Sequence, residues 1–501
     1  LLFGCNMLAN FFSLSLMLST SLAQTPIDNI DRSKHLSLTL QQFHQKYGAE
    51  AFLEIVQGRG WGIPNAPSVI NPPPPFSSKQ VRNSYVGNPN SHETDNFVVW
   101  WGPDENISDA HVQALGVELE LIWNVQINQM NLPEPETADA WKFNVYIGDT
   151  GEGVPSAEGN AGFFWYDTEN FPMMVLSSEI ISWTDSAKLT AAHEFFHAVQ
   201  AAINTYRFND SSIWWSEATA NWILEEVFPE DGGYSNTLYS VALRPEIALN
   251  HFGDYFNEGV EADHHYGASI FATYLSENHG GWETVIRSFT EAPINGDPLD
   301  VFETLLQEQD TTLSDAHLEY ALRNTTWDYV FEQDYEASVQ DYSGDGVSHR
   351  SSGTISGTAS DWHGPGDWPP NTYGVNNWQL EDMPAVFTIS FEGEAGIDWK
   401  VGVASQSESS HSREKMTITG EEGQLVIRDW HTSDELWLVV AAIDDNIDDG
   451  ESHSYQFQIV DGVLEEEDSK IRGCTAAPFN SKNPLYAFGL FALVGLTRRR
   501  S

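Results

Sequence analysis

The segment His193-Glu194-Phe195-Phe196-His197 restricts what this chain can fold into more than any other segment does. Residues four apart on an α-helix share one face, so both imidazoles point to the same side and Glu194 lies beside the first. The flanking sequence favours a helix, with Thr184 or Asp185 as its cap and an apolar stripe formed by Leu189, Ala192, Phe196 and Val199. Two imidazoles placed in this way predict two ligands of a zinc ion, with Glu194 as the general base.

A second helical segment supplies the expected third ligand. The stretch Trp214–Trp222 contains Glu217 near its start, and nineteen residues separate Glu217 from His197. Two antiparallel helices joined in this way can bring the carboxylate to the metal from the opposite side. Because catalytic zinc takes three protein ligands and keeps one position for water, we predict a site of His193, His197 and Glu217. The alternative for Glu217 is an acid on a helix surface.

The combination of HExxH, a spacer of this length and a glutamate in an E-x-x-A helix resembles the gluzincin superfamily, to which thermolysin and aminopeptidase N belong. The resemblance covers 94–330 and implies an α+β zincin-like metallopeptidase domain that hydrolyses peptide bonds. It also implies His193, His197 and Glu217 as zinc ligands and Glu194 as the base. The layout of the whole chain resembles a family of secreted myxobacterial proteins regarded as metalloproteases.

A candidate for stabilising the oxyanion of the transition state lies in Asp263–Leu275. This segment resembles the helix that follows the metal site in aminopeptidase-like gluzincins, where a tyrosine three residues before a glycine assists the oxyanion. His264 takes that position here, and Tyr266 is the competing candidate. A further interpretation is that these polar residues only cap a helix.

The mode of substrate binding is indicated by one absence and two β-like runs. The Gly-x-Met-Glu-Asn run that binds a free N-terminus in aminopeptidases does not occur, so an endopeptidase is favoured. The runs Gly162–Tyr166 and Met173–Leu176 are candidates to pair with an extended peptide. They are alternatively ordinary core strands.

The remaining pattern between 94 and 330 places strands before helices, which predicts an α+β unit. The predicted strands are Asn96–Trp101, Lys142–Ile147, Gly162–Tyr166 and Met173–Ser177, and the predicted helices are 112–130, 185–204, 216–227, 265–278 and 314–323.

The composition changes after residue 330. Residues 331–369 are rich in Gly, Ser and Asp and predict a linker, whereas short β-like runs in 370–465 predict a β-sandwich domain. The loop Asp444–Gly450 is either a calcium site or a turn of solvated acids. Because of this break, we expect 94–330 to carry the chemistry without direct help from the β-sandwich.

Both ends of the chain carry targeting patterns. Residues 1–23 are expected to be a signal peptide, and 24–93 to be a propeptide or an N-terminal arm that ends in a Pro-rich linker. Residues 466–501 hold Cys474, a short apolar helix and an arginine cluster, which resembles a myxobacterial C-terminal sorting signal; the alternative is a permanent single-span anchor. These patterns predict a secreted or surface-displayed protein that meets sorting machinery at the membrane.

The charge of the chain limits its partners. Lys and Arg number 23 against 73 Asp and Glu, a net charge of -50. Such a surface repels nucleic acid, which is therefore not an expected partner. A protein or peptide substrate is what the gluzincin resemblance implies. The alternative function is a catalytically inactive surface adhesion protein with a vestigial metal site, against which an intact Glu194 argues. No pattern in the sequence indicates an oligomeric state.

Overall fold

The computed structural model describes residues 79–463 apart from 105–106, 158, 204–211, 230, 254–258, 293–296, 344–346, 408–409, 429, 431–434 and 445–449. The predicted signal peptide, residues 24–78, the sorting tail 466–501 and most of the loop Asp444–Gly450 lie outside the described residues. Among the described residues, no helix combines the length and apolarity needed to cross a membrane. Residues 79–463 belong to one compact unit. The unit is mixed α/β, with most helices in its first part and most strands in its last.

A five-stranded sheet opens the described chain. Its strands are β1 (Asn90–Glu93), β2 (Phe97–Trp101), β3 (Phe143–Gly148), β4 (Gly162–Tyr166) and β5 (Pro172–Ser177). They lie in the order β1-β2-β3-β5-β4, with β2, β3 and β5 parallel and the two edge strands antiparallel to their neighbours. Every residue of β3 and β5 is buried, as expected for parallel strands covered on both faces. All four predicted strands are therefore present.

One α-helix lies between β2 and β3 in the chain, and the other helices of this part follow the sheet. The α-helices are α1 (Asp109–Trp123), α2 (Ser178–Ile181), α3 (Thr184–Ile203), α4 (Ile213–Val227), α5 (Tyr239–Ala242), α6 (His264–Gly267), α7 (Ser269–Asn278), α8 (Trp282–Thr290), α9 (Pro298–Gln307), α10 (Leu313–Asn324) and α11 (Glu332–Ser343). The predicted helix 112–130 corresponds to α1 and a π-helical continuation, Asn124–Gln129. The predicted helix 265–278 is divided into α6 and α7 at Ala268.

Two further five-stranded sheets form the last part of the unit. Their strands are β6 (Gly353–Ser356), β7 (Ala359–His363), β8 (Val375–Glu381), β9 (Val386–Gly393), β10 (Asp398–Ser407), β11 (Ser410–Lys415), β12 (Thr417–Thr419), β13 (Glu422–Arg428), β14 (Glu435–Ile443) and β15 (Tyr455–Asp461). One sheet has the order β11-β10-β14-β8-β6 and the other β12-β13-β9-β15-β7. Side chains from both sheets share one apolar core, including Phe391, Trp399, Leu438 and Phe457. The two sheets are thus packed face to face as a sandwich.

The region predicted as a linker, 331–369, contains regular structure. It forms α11, β6 and β7, and β6 extends a sheet of the sandwich by pairing with β8. On α11 only Tyr335 and Val339 are buried, so the helix has too few apolar positions to show a helical period in sequence. Packing against the helical part stabilises it instead, as is common for short helices.

Candidate metal centre

Two packed helices bring the three predicted metal ligands together. His193 and His197 lie on α3 and Glu217 on α4, and each of these side chains is between 1% and 5% exposed. The Nε2 atom of His193 lies 3.2 Å from Oε2 of Glu217 and 3.1 Å from Nε2 of His197. The Nε2 atom of His197 lies 3.4 Å from Oε1 of Glu217. The three side chains form a buried group that could hold a metal ion.

Asn221, which the sequence analysis missed, orients the first imidazole. Its Oδ1 lies 3.0 Å from Nδ1 of His193. Its Nδ2 donates to Oγ1 of Thr237 at 3.2 Å and to the carbonyl of Tyr266 at 3.4 Å, so the amide oxygen must be the atom that faces the ring. His193 therefore carries its proton on Nδ1 in the neutral form and presents the Nε2 lone pair to the centre.

Gln200 orients the second imidazole in the same way. Its Oε1 accepts from Nδ1 of His197 at 2.8 Å. Its Nε2 donates to the carbonyl of Ser216 at 2.9 Å and to Oγ1 of Thr219 at 3.0 Å, which again determines which end of the amide faces the ring. Helical spacing in the sequence could have identified both residues, because Gln200 lies three residues after His197 and Asn221 lies four after Glu217. Outer partners of this kind hold metal-binding histidines in place.

The electrostatics of the centre favour added positive charge. Burial opposes ionisation of Glu217, but His197 and His193 hold its pKa well below its ordinary range. Burial likewise lowers the pKa of His197, but Glu217 outweighs it and raises that pKa to about 9. In the described part of the chain, Oε1 of Glu217 is a buried oxygen that accepts no hydrogen bond. Two imidazoles and one carboxylate in a buried group form a donor set that fits zinc.

Glu194 lies next to the first ligand and is not itself one of the three converging groups. It is 6% exposed. Burial raises its pKa, which His193 and His197 partly oppose, and the backbone N–H of Phe164 donates to its carboxylate. Phe164 belongs to β4, the strand at the edge of the sheet, which packs beside α3. Glu194 therefore lies between the candidate metal group and the edge strand β4.

The two strand candidates for peptide pairing differ in their surroundings. Strand β5, which contains Met173–Leu176, is hydrogen-bonded to β3 on one side and to β4 on the other. It is a core strand. Among the described residues, strand β4 pairs with β5 and lies at an edge of the sheet, so of the two candidates it is β4 along which a peptide could pair.

Of the two oxyanion candidates, the structure brings Tyr266 to the metal group. The Tyr266 hydroxyl donates to the Glu217 carboxylate, and the Tyr266 ring lies 6.0 Å from that of His193. Burial raises the pKa of Tyr266, and Glu217 and Asp263 raise it further, so the phenol stays protonated and acts as a donor. Tyr266 is therefore a protonated phenol beside the candidate metal group.

His264 faces a different part of the molecule. Its ring lies 5.9 Å from that of His251, near the carbonyls of Ser240 and Ala248, and it lines a cavity with His317. Burial lowers the pKa of His264, and His251 and His265 lower it further. The cause of the separation is helical geometry, because residues two apart on a helix do not face the same side.

The fold and the site together define a mixed α/β protein with a buried His-His-Glu group able to bind a metal ion. Residues 69–458, more than half of the chain, match the family of unknown function DUF6055, and the chain belongs to that family. No curated protein matches. Among solved structures, the chain is similar to the pre-peptidase C-terminal domain of a collagenase from Bacillus anthracis, with 10% identity and a TM-score of 0.17 over 22% of this chain and 98% of that domain. A TM-score this low supports no conclusion about fold or function.

Proposed function

We propose that the protein is an exported zinc endopeptidase of the gluzincin type with a zincin-like first part. One observation carries this proposal: a base, three metal ligands and a phenol donor meet in one buried group. The antiparallel edge strand β4 beside the metal-binding helix α3 supports it further. Export, with display at the surface or release, remains a prediction from 1–23 and 466–501.

His193, His197 and Glu217 would hold the zinc ion. When bound, zinc supplies Lewis acidity, which polarises a scissile carbonyl and lowers the pKa of a water molecule. Asn221 and Gln200 keep the two imidazoles in the tautomer and orientation that binding requires.

Glu194 would move the proton. As the water oxygen bonds to the carbonyl carbon, the Glu194 carboxylate takes a proton from that water. It delivers the same proton to the amide nitrogen as the C–N bond breaks, so the products are a carboxylic acid and an amine. Burial suits this exchange, because it raises the pKa of Glu194 and so makes the carboxylate a better proton acceptor.

Tyr266 would stabilise the oxyanion. Its hydroxyl is a protonated donor next to the Glu217 carboxylate, and a donor aimed at developing charge in a dry site is worth more than one in water. The substrate would lie extended along the edge strand β4, whose Phe164 N–H contacts the Glu194 carboxylate.

The test is metal content and cleavage on the same preparation. Protein spanning residues 24–465 should contain about one zinc per chain and cleave an unfolded protein such as reduced, alkylated serum albumin at internal bonds. Removing the metal with a chelator should stop cleavage, and adding zinc back should restore it. A zinc-loaded, folded preparation that cleaves no unfolded protein or peptide would refute the proposal and favour the inactive adhesion protein.

A further inference from the structure

The segment 242–249, which precedes α6, is bonded to the β-rich part of the protein. Backbone hydrogen bonds run from Arg350 to Ala242 at 2.8 Å, from Val375 to Pro245 at 2.7 Å, from Asn371 to Glu246 at 2.8 Å and from Leu249 to Tyr373 at 3.2 Å. We call this contact, between 242–249 and the residues 350 and 371–375, the seam. The seam joins the two parts through backbone hydrogen bonds, as neighbouring strands of a sheet are joined.

The seam leaves no space between the two backbones. A Cβ atom built on Gly374 would lie 2.2 Å from the carbonyl oxygen of Glu246, so only glycine allows this approach. Tyr373 and Ile443, both from the β-rich part, belong to the main apolar core of the helical part. The sandwich is therefore packed into the helical part rather than tethered to it.

Helix α10 provides a second contact with the sandwich. Leu318 and Leu322 pack on the outer face of the β10–β14 sheet, against Val439 and Ala441. Around this apolar contact, Arg413 and Lys415 each lie 2.8 Å from Glu319. Lys and Arg number only 23 in this chain against 73 Asp and Glu, so two cations at one contact are a local concentration of scarce positive charge. Their ion pairs with Glu319 favour a single arrangement of α10 on the sandwich.

The seam connects to the helix that carries Tyr266. Ser240 Oγ donates to the carbonyl of Asp263 at 3.0 Å, and a Cβ atom on Gly267 would lie 2.3 Å from that same Oγ. The ring of His264 lies against the carbonyls of Ser240 and Ala248. Tyr239 stacks on Tyr342 of α11 and hydrogen-bonds to Asp263. Residues 263–267 are thus held by the segment 239–249 on the side away from the metal group.

We propose that the β-sandwich is a positioning element of the active site, which acts through the seam and Ser240 to set the position of Tyr266. The inference rests on the proposed function. It reverses the expectation that 94–330 works without help from 370–465. None of the contacts that join the sandwich to the helical part involves His193, His197 or Glu217 directly, so we expect the main effect on the rate of the chemical step, with the bound zinc retained.

The test is a double-mutant cycle in the full chain. Gly374→Ala forces the seam apart by the width of one methyl group, and Tyr266→Phe removes the phenol donor. With Tyr266 intact, Gly374→Ala should lower kcat on a short internally quenched peptide by about 10- to 100-fold, which is the loss expected for a displacement of about 1 Å. KM and zinc content should be unchanged. In the Tyr266→Phe background, Gly374→Ala should have no further effect, because the group it displaces is already absent.

A matched control is Gly423→Ala. Gly423 lies on β13, in the sheet that does not contain Gly374's neighbour β8, and the three atoms nearest its new Cβ belong to the flexible side chains of Ile418 and Met416. This variant should keep the wild-type kcat. If Gly374→Ala does not fold, as judged by near-ultraviolet circular dichroism, Ser240→Ala enters the same cycle, since it removes the bond to Asp263 with little change in volume.

The outcomes separate the two proposals. Equal loss of kcat in both backgrounds, or no loss in either, overturns the positioning role while leaving the peptidase intact. A zinc-loaded wild-type protein without peptidase activity overturns the proposed function, and the positioning role falls with it.

Discussion

Oδ1 of Asn221 lies 3.0 Å from Nδ1 of His193, on the side of the ring opposite the metal group. Asn221→Leu removes this acceptor while keeping a side chain of similar size. We expect zinc affinity to fall by about 10- to 100-fold, because the imidazole loses the partner that fixes its tautomer. Competition with a chromogenic chelator measures the change. Asn221→Asp keeps the acceptor and should retain most of the affinity; equal affinity in wild type and Asn221→Leu would contradict the role.

The metal itself should be removable and specific. We expect about one zinc per chain by atomic absorption, no zinc retained by His193→Ala, and no cleavage after dialysis against a chelator. The reason is that loss of His193 leaves only one imidazole and one carboxylate of the three candidate ligands. Cleavage that persists in metal-free protein would show that the group has another purpose.

Glu194→Gln tests the base. The amide keeps the shape of the carboxylate but cannot accept a proton, so kcat should fall by roughly two to four orders of magnitude. Zinc content should be unchanged, because Glu194 is not among the ligands. Retained turnover would mean that another group takes the proton from water.

Tyr266→Phe tests the oxyanion donor. Loss of one donor of this type lowers kcat by about 100- to 1,000-fold, with little effect on KM. Tyr455→Phe is the matched control, because Tyr455 is also a buried tyrosine with hydrogen-bond partners, Trp378 and Asn376, but lies inside the sandwich. If both variants keep wild-type kcat, Tyr266 only supports Glu217.

The cavity beside the seam predicts acid sensitivity. It has a volume of about 30 Å³ and is lined by His264, His317, His349 and Asn377 among others. Burial lowers the pKa of His317 to about 4, with the Tyr373 carbonyl opposing, and burial also lowers that of His349 to about 4. Histidine in an unfolded chain has a pKa of about 6.5, so the folded state binds these protons less readily than the unfolded state does.

The direction in which stability changes with pH follows from this difference in proton binding. The contribution of His317 to the free energy of unfolding is complete above about pH 6.5 and is lost as pH falls towards 4, by up to about 3 kcal/mol. His317→Asn does not titrate, so its stability should fall less between pH 7 and pH 4.5 than that of the wild type. Urea unfolding at the two pH values gives the comparison. Identical pH dependence in both proteins would show that His317 is protonated at no cost.

Much of the site followed from local pattern. The apolar stripe of this segment defines the helix, and the four-residue spacing of His193 and His197 defines the face that carries the imidazoles. Both are local properties of the sequence. The short β-like runs predicted in 370–465 occur as strands, because alternation of apolar and polar residues is typical of a half-buried sheet. The polar strands β1 and β11 and the helix α11 were not predicted, because neighbours rather than their own composition stabilise them.

By itself, the sequence determined that two helices would each present metal ligands, that a mixed first part would precede a β-rich last part, and that Glu194 would stand beside the first ligand. The tertiary structure decided what lies around those ligands. Whether His264 or Tyr266 reaches the centre depends on how α6 is held by 239–249, and that depends on a contact with Tyr373 and Gly374 more than a hundred residues later in the chain. Long-range packing of this kind has no period in sequence, so only the folded chain shows it.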